Sequence, residues 1–169
     1  GVFEVRSQNI NFYNSLPILY VTGGNQGASK LNELISKLLP ILLNEFNIIH
    51  QTGSSTLTHD YEKAVAQRAN LSDELAEKYL IKEYYSENEI GEILKKSNII
   101  ISRAGLNTCS ELLALNKSCI LIPISKTSQN EQYRNAKLLQ NLGLGFCLKE
   151  ENATPEELNR LIYKLYDLR

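Results

Sequence analysis

Short runs of apolar, mostly β-branched residues alternate along the chain with longer stretches in which apolar residues recur every three or four positions. The short runs are typical of β-strands, and the longer stretches have the periodicity of amphipathic helices. The predicted strands span residues 17–22, 47–51, 79–84, 98–102, 119–123 and 145–148. This alternation predicts an α/β fold, a Rossmann-like, doubly wound, mainly parallel six-stranded sheet with helices on both faces.

The predicted helices lie between these strands and after the last one. They cover residues 28–44, 58–69, 86–96, 107–115 and 130–142, and a final stretch from 154 to near the C-terminus. Two helix starts carry capping signals: Ser86 and Glu89 have the spacing of a capping box, and Thr154 precedes a proline at the first helical position. Pro40 is expected to kink or shorten the first helix near its end.

The composition is typical of one globular domain, since 43% of the 169 residues are hydrophobic and 22% are charged. The 18 basic and 19 acidic residues give a net charge of -1. This balance argues against nucleic acid as the main partner, because binding a phosphate backbone needs clustered positive charge. The sequence has no signal-peptide pattern and no apolar run of bilayer-spanning length.

We expect residues 1–16 to be an interdomain lead-in segment and residues 17–169 to form one domain. The sequence contains no methionine, so we interpret it as part of a longer protein whose N-terminal domain is absent. Cys109, Cys119 and Cys147 are odd in number and lack C-x-x-C spacing. Neither a disulfide framework nor a zinc site is therefore expected, and a reducing cytoplasm is the simplest location.

Three polar segments follow predicted strands one, four and five. The first, residues 23–27 (GGNQG), lies between a strand and a helix. Its glycines permit a tight turn whose free N–H groups, together with the helix dipole, suit an anion such as a pyrophosphate. The spacing is neither G-x-G-x-x-G nor that of a P-loop, and a plain strand-to-helix turn is equally consistent with it.

The second segment runs from Arg103 to Thr108, with Glu111 beyond it. Gly105 permits close backbone approach, Thr108 can donate a hydroxyl to a phosphate, and Glu111 can accept both hydroxyls of a ribose. Taken singly, each has a simpler interpretation: Arg103 forms a surface ion pair, and Glu111 interacts with the helix dipole.

The third segment, residues 129–135 (QNEQYRN), is rich in amides, which donate to and accept from sugar hydroxyls. In isolation an ordinary polar helix start is the favoured interpretation. However, the carboxyl ends of strands in an open α/β sheet form the edge where ligands bind. Together the three segments offer recognition of an anion, a diol and hydroxyls, which indicates a nucleotide sugar.

The sequence gives little support for a metal site, a serine-hydrolase site or a reactive cysteine. His50 and His59 lack partners at metal-ligand spacing, and no G-x-S-x-G motif is present. Cys109 lies near a predicted helix N-terminus, where a thiol pKa can fall, although burial as a small apolar residue is the expected outcome.

These segments resemble the C-terminal domain of the MurG family of UDP-N-acetylglucosamine transferases. Residues 23–28 (GGNQGA) are similar to the family's G-G-S-Q-G-A, and residues 50–53 (HQTG) to its H-Q-[ST]-G. Residues 103–111 are similar to R-[AS]-G-x-x-T-x-x-E, and residues 132–136 to Q-x-x-N-A. The order and spacing match over about residues 17–165. Departures from the family pattern are Asn25 in place of serine, Glu131 in place of histidine or glutamine, and no Gly-x-Pro at residues 116–118.

The resemblance implies the donor-binding, C-terminal half of a GT-B glycosyltransferase, with no metal, no other cofactor and no catalytic residue in this half. It implies that Asn25 and the loop around it (residues 23–27, which we call the phosphate loop) face the diphosphate, together with residues 106–108. Glu111 would bind the ribose, and backbone near Tyr85 would bind the uracil. Gln132 and Asn135 would bind the sugar. The donor-binding residues implied are Arg6, Gly24, Asn25, Gln26, Gly27, Tyr85, Arg103, Gly105, Leu106, Asn107, Thr108, Glu111, Gln132 and Asn135.

The function that the resemblance implies is inverting transfer of N-acetylglucosamine to a lipid-diphosphate-linked muramyl peptide in peptidoglycan synthesis. The acceptor and a peripheral contact with the cytoplasmic membrane face would belong to the missing N-terminal half, so this fragment is expected to be inactive alone. Two alternatives remain: another GT-B transferase with a different sugar or acceptor, and a donor-binding subunit that works only with a separate partner.

Overall fold

A computed structural model describes residues 10–24, 28–54, 56–125 and 130–168. Within these ranges, six strands form one sheet in the order β3-β2-β1-β4-β5-β6, and every neighbouring pair is parallel. The strands are β1 Ile18–Thr22, β2 Asn47–Gln51, β3 Tyr79–Lys82, β4 Ile99–Ser102, β5 Ser118–Leu121 and β6 Gly145–Cys147. The predicted parallel sheet is confirmed. The strand order reverses between β1 and β4, which makes this the topological switch point of the sheet.

Helices connect the strands and cover both faces of the sheet. They are α1 Ser29–Leu42, α2 Asp60–Ala69, α3 Asp73–Ala76, α4 Glu87–Lys96, α5 Leu106–Ala114, α6 Glu131–Asn141 and α7 Pro155–Asp167, with a 3₁₀ turn at Glu150–Asn152. The sequence did not predict α3, because a single turn is too short to show an apolar period. Helix α1 includes Pro40 and ends at Leu42, two residues before the predicted end.

The predicted helix caps are present. The Ser86 side chain accepts from the Glu89 N–H while the Glu89 carboxylate accepts from the Ser86 N–H, which completes the capping box of α4. At α7, the Thr154 hydroxyl accepts from the backbone N–H of Glu157, and Pro155 is the first helical residue. These two helices therefore begin with satisfied N–H groups.

Two apolar layers enclose the sheet. Successive strand residues face opposite sides, so Leu19 and Val21 pack in the layer under α1 and α7, whereas Tyr20 packs in the layer under α4, α5 and α6. Phe46 makes edge-to-face contacts with Tyr163 and Tyr166 at ring-centroid distances of 5.8 and 5.4 Å. The strands are apolar on both faces because both faces are covered.

Residues 10–16, the described part of the predicted lead-in, pack onto the domain. Ile10 is buried in the layer under α4, and its carbonyl oxygen accepts from Lys96 Nζ at 3.1 Å. Asn14 and Asn47 exchange side-chain hydrogen bonds of 3.0 and 2.8 Å. Among the described residues, the structure contains no helix with the length and apolar character needed to span a bilayer.

Candidate functional site

A cleft of about 590 Å³ opens at the carboxyl edge of the sheet, around the ends of β1 and β4. Its walls come from the segments that follow β1, β3, β4 and β5, so it lies at the switch point where α/β sheets bind ligands. Nine of the residues predicted for the site line it: Gly24, Tyr85, Arg103, Gly105, Leu106, Asn107, Thr108, Glu111 and Gln132. Arg6, Asn25, Gln26 and Gly27 lie outside the described residues.

Helix α5 begins at this cleft, and α1 begins beside Gly23 on its wall; among the described residues neither helix has a side-chain cap. Helix α5 starts after Gly105 and α1 starts after Ala28, and neither has an acidic residue in its first turn. The N–H groups of the first helical turn have no intrahelical acceptor, and the helix dipole places partial positive charge there. The N-terminus of α5 therefore offers N–H donors to an anion in the cleft, and α1 begins nearby, after the neighbouring strand β1.

The glycines of the first segment have different roles. A Cβ on Gly23 would overlap the Cβ of Ala28, so a glycine is needed where the end of β1 passes the start of α1. Gly24 has a φ of 69°, a left-handed conformation that favours glycine. A Cβ on Gly105 would meet no atom of the described residues within 4 Å, so those residues leave space beside the N-terminus of α5.

Glu111 is the sixth residue of α5 and is exposed on the wall of the cleft. Among the described residues its carboxylate has neither a hydrogen-bond nor an ion-pair partner. It lies beyond the first turn of α5, where an interaction with the helix dipole is weak. Burial, with a smaller contribution from the charge of Glu111, raises the pKa of Tyr20 on the cleft floor to about 12.

Arg103 lines the cleft, but its guanidinium group is directed at neighbouring loops. Nη1 donates to the carbonyl oxygen of Ile122 at 3.2 Å and forms an ion pair with Glu150, whose other carboxylate oxygen accepts from the Ser125 hydroxyl at 3.3 Å. Only 7% of Arg103 is exposed, so this ion pair is buried and is not the surface pair that the simpler interpretation expected. Arg103 therefore joins the segments that follow β4, β5 and β6.

The side chains of Gln132 and Asn135 both form hydrogen bonds with the backbone of Ala104, in the segment that follows β4. Gln132 Oε1 accepts from the N–H groups of Ala104 and Ile124 at 3.3 and 3.0 Å, and Asn135 Nδ2 donates to the Ala104 carbonyl oxygen at 3.0 Å. Because the oxygen of Gln132 is used by the backbone, Gln132 can offer a ligand only its amide N–H donors. Asn135 is not among the residues that line the described cleft.

Tyr85 lies at the β3 side of the cleft, where Ile90 and Leu94 add an apolar wall. Burial raises the pKa of its phenol well above the usual range. Its backbone N–H donates to Gln51 Oε1 at 2.9 Å, so any backbone contact with a ligand must use other groups of this segment. Gln51 also lines the cleft. It lies in the HQTG motif, for which the sequence analysis predicted no ligand contact; the available signal was an amide at the carboxyl end of a predicted strand.

His50 lies outside the cleft in a buried hydrogen-bond network. Its Nδ1 is 2.7 Å from Tyr79 Oη and its Nε2 is 2.7 Å from Asn32 Oδ1. Asn32 Nδ2 donates to the Thr52 carbonyl and to Asp60, so the Asn32 oxygen is the acceptor and His50 is neutral with its proton on Nε2. Burial lowers the pKa of His50 to about 4. His50 is thus a structural residue.

The remaining candidates are not reactive groups. Cys109 is 4% exposed, and burial raises its thiol pKa to about 11, so the expected burial is confirmed. Among the described residues, no three His, Cys, Asp or Glu side chains are grouped as metal ligands.

Proteins of known name are similar to this chain along most of its length. The Clostridium botulinum (strain Loch Maree / Type A3) UDP-N-acetylglucosamine--N-acetylmuramyl-(pentapeptide) pyrophosphoryl-undecaprenol N-acetylglucosamine transferase is 36% identical over 159 residues, 94% of this chain and 41% of that protein. The Geobacillus thermodenitrificans protein of the same name is 35% identical over 168 residues, 99% of this chain and 44% of that protein. The chain thus spans less than half the length of the curated relatives that it matches.

Solved structures show the same fold. MurG from Acinetobacter baumannii superposes with a TM-score of 0.70 at 25% identity, covering 92% of this chain and 44% of that one. The calicheamicin glycosyltransferase CalG4 superposes with a TM-score of 0.64 at 14% identity, covering 89% and 34%, which shows the fold alone. The match to the family described as the glycosyltransferase family 28 C-terminal domain extends over residues 18–169, and the chain belongs to that family.

Proposed function

We propose that the cleft binds UDP-N-acetylglucosamine and that the chain is the donor-binding half of an inverting glycosyltransferase. The observation that carries this proposal is the N-terminus of α5, whose first residues line a cleft at the switch point beside the turn at Gly23 and Gly24. Such N-termini bind phosphates through backbone N–H groups and the helix dipole. The names of the relatives support the choice of sugar and nucleotide.

We assign the parts of the ligand to positions along the cleft that follow the order of the strands. The diphosphate lies centrally, at the starts of α1 and α5, and the ribose hydroxyls are accepted by Glu111. The uracil lies toward β3, against the apolar wall of Ile90 and Leu94, and the sugar lies toward β5, where Gln132 donates its amide N–H groups. Arg6 and residues 25–27 are part of this proposal through the family resemblance alone.

The contribution of this half to the reaction is electrostatic. When the bond between the sugar and the β-phosphate breaks, negative charge develops on the departing UDP. Preorganised N–H donors aimed at that charge stabilise the transition state. We assign the charge compensation to the two helix N-termini and propose neither a metal ion nor another cofactor. The group that activates the acceptor belongs to the rest of the protein.

The whole protein, by this proposal, transfers N-acetylglucosamine to a lipid-linked muramyl peptide in peptidoglycan synthesis. It acts in the cytoplasm, or peripherally at the cytoplasmic face of the plasma membrane, through an N-terminal half that holds the acceptor. The support is the printed activity of relatives that are 35–36% identical to this chain.

Isothermal titration calorimetry tests the donor assignment directly. The 169-residue chain should bind UDP and UDP-N-acetylglucosamine, bind ADP at least tenfold more weakly, and transfer no sugar to a lipid acceptor. Absence of UDP binding would contradict the proposal. Tighter binding of another UDP-sugar would favour a GT-B transferase with a different donor, and transfer by the chain alone would contradict the assignment of the acceptor-activating group to the missing half.

A further inference from the structure

Two buried polar side chains, Gln51 and Thr22, lie on the cleft floor between Tyr85, where we propose that the uracil binds, and Gly24 in the phosphate loop. Gln51 is the last residue of β2 and Thr22 the last residue of β1, and the two are paired in register. Gln51 is 4% exposed and Thr22 7% exposed. Both contribute to the cleft lining.

The amide of Gln51 is used at both ends. Gln51 Oε1 accepts from the Tyr85 N–H at 2.9 Å, and Gln51 Nε2 donates to Thr22 Oγ1 at 3.0 Å. The same Thr22 oxygen accepts from the Gly24 N–H at 3.2 Å. The result is a continuous chain of three hydrogen bonds from the backbone of Tyr85 to the backbone of Gly24, which we call the Gln51–Thr22 bridge.

The hydrogen bonds of the bridge require one orientation of the Gln51 amide. If the amide of Gln51 rotated by half a turn, its NH₂ group would face the N–H of Tyr85 and its oxygen would face Thr22, so the Tyr85 contact would be lost. Buried polar groups that lose a partner are costly, which holds the amide in the observed orientation. Since both ends of the bridge are backbone N–H groups, it fixes main-chain positions and not only side chains.

We propose that Gln51 and Thr22 are positioning residues for donor binding. They hold the turn at Gly24 at a fixed distance from the segment at Tyr85, so that the base and the diphosphate of one ligand are bound together. This inference rests on the proposed function, because it takes a uridine diphosphate to lie along the cleft. In this role both side chains act through the backbone of Gly24 and Tyr85.

The test compares UDP, which reaches the phosphate loop, with uridine, which does not. Thr22→Val replaces the hydroxyl by a methyl of similar size, and Thr22→Ser keeps the hydroxyl. Thr22→Val removes the oxygen that accepts from Gln51 and from the Gly24 N–H. It should weaken UDP binding about tenfold, because the turn at Gly24 is no longer held, and should leave uridine binding within about twofold, because Gln51 can still accept from the Tyr85 N–H. Thr22→Ser should match the wild type for both ligands.

Gln51→Leu extends the test to the other end of the bridge. It releases the Tyr85 N–H as well as Thr22, so it should weaken uridine and UDP binding alike. Calorimetry measures UDP binding and chemical-shift titration measures uridine binding, with circular dichroism melts as the check on folding. If Gln51→Leu does not fold, the two Thr22 variants still decide.

The outcomes separate this inference from the proposed function. Wild-type protein that binds no UDP would contradict the proposed function and remove the basis of the bridge with it. If the wild type binds UDP, the bridge alone is overturned in either of two cases: Thr22→Val binds UDP as tightly as the wild type, or Thr22→Ser loses as much affinity as Thr22→Val. If Thr22 had only a structural role, Thr22→Val would lower the melting temperature without changing the ratio of UDP affinity to uridine affinity.

Discussion

Hydrogen-bond partners divide the polar side chains at the cleft into those that hold loops and those available to a ligand. Arg103 and Asn135 are bound to neighbouring loops, and Gln132 is bound to the backbone through its oxygen. The carboxylate of Glu111 has no partner among the described residues. Substitutions of Glu111 should therefore affect ligand binding and not stability, whereas substitutions of the loop-holding residues should affect both.

Glu111→Gln tests the ribose assignment. A carboxylate that accepts from two hydroxyls makes charge-assisted hydrogen bonds, and replacing it by an amide should weaken UDP binding about ten- to a hundredfold. The melting temperature should stay within about 2 °C of the wild type, since the exposed side chain has no partner among the residues that the structure describes. Calorimetry and a thermal melt measure the two quantities.

Glu87→Gln is the matched control, because Glu87 also lines the cleft and carries the same charge. Removing a negative charge near a diphosphate should by itself leave binding unchanged or strengthen it. Equal losses of UDP affinity in both variants would show that Glu111 has no specific contact with the ribose.

Gln132 combines a structural and a recognition role, and two substitutions separate them. Gln132→Glu keeps an oxygen that accepts from the N–H groups of Ala104 and Ile124 but removes the amide donors. It should weaken UDP-N-acetylglucosamine binding about fivefold to tenfold more than UDP binding, because only the former ligand places a hydroxyl at the amide. The terminal phosphate gives UDP more negative charge than UDP-N-acetylglucosamine, so repulsion by the new carboxylate weakens UDP at least as much and cannot by itself produce the expected difference.

Gln132→Ala removes both roles and should also lower the melting temperature. The preference for UDP-N-acetylglucosamine over UDP-N-acetylgalactosamine should narrow in both variants, because the C4 hydroxyls of these sugars differ in orientation. If neither variant alters the difference between UDP-sugar and UDP affinities in competition titrations, Gln132 does not contact the sugar.

At the scale of elements, the sequence predicted what local pattern controls and missed what depends on distant contacts. The six strands and the helices longer than one turn followed from apolar periodicity, and the caps of α4 and α7 followed from residue spacing. The third strand ends at Lys82 and not at residue 84. One residue beyond the predicted end, the N–H of Tyr85 is bound to the side chain of Gln51, a partner distant in sequence that no local pattern reveals.

The same distinction applies to the site. The edge of the sheet and the polar segments on it were predictable, because parallel strands bring their carboxyl ends together. The partners of the individual side chains were not. The ion pair of Arg103 with Glu150 and the bond of Asn135 to Ala104 join residues from different loops. The contact of Asn135 with the sugar, which the family resemblance implied, stays a prediction; in the structure its Nδ2 donates to the Ala104 carbonyl oxygen.

Glycine at position 145 should be required by the pairing of β5 and β6. A Cβ on Gly145 would overlap the carbonyl oxygen of Cys119, its partner in register. Gly145→Ala should therefore destabilise the protein by about 2 kcal/mol or more, as measured by urea unfolding, because a backbone atom cannot move aside cheaply.

Gly91→Ala is the control for this prediction. Gly91 lies inside α4, and a Cβ there would meet no atom within 4 Å. Alanine is a better helix former than glycine, so this variant should be more stable than the wild type by about 0.5–1 kcal/mol. Equal effects of the two substitutions would contradict the steric explanation for Gly145.

At the scale of the whole molecule, the network around His50 joins four elements on one side of the sheet. His50 lies on β2, Tyr79 on β3 and Asn32 on α1, and Asn32 also donates to Asp60 at the start of α2. Asp60 favours the charged form of His50, but burial outweighs it and lowers the pKa of His50 to about 4. The imidazole is therefore neutral in the folded protein at every pH above that value.

This pKa predicts how stability depends on pH. In the unfolded chain the imidazole has its ordinary pKa, near 6.5, so between about pH 4 and 6.5 the unfolded state binds a proton that the folded state does not. Stability that is fully present above about pH 6.5 is lost as the pH falls through this window. Between pH 7 and pH 5, His50 should lower the free energy of unfolding by about 2 kcal/mol.

His50→Gln isolates this contribution, because glutamine can still accept from Tyr79 and donate to Asn32 but does not titrate in this range. Urea unfolding at pH 7 and at pH 5 gives the loss of stability for each protein, and the acidic groups that titrate near pH 4 contribute equally to both. The wild type should lose about 2 kcal/mol more than His50→Gln, even if the variant is less stable at pH 7. Parallel pH profiles for the two proteins would show that His50 accepts a proton in the folded state as readily as in the unfolded chain. Such a result would contradict the buried, neutral imidazole on which the network depends.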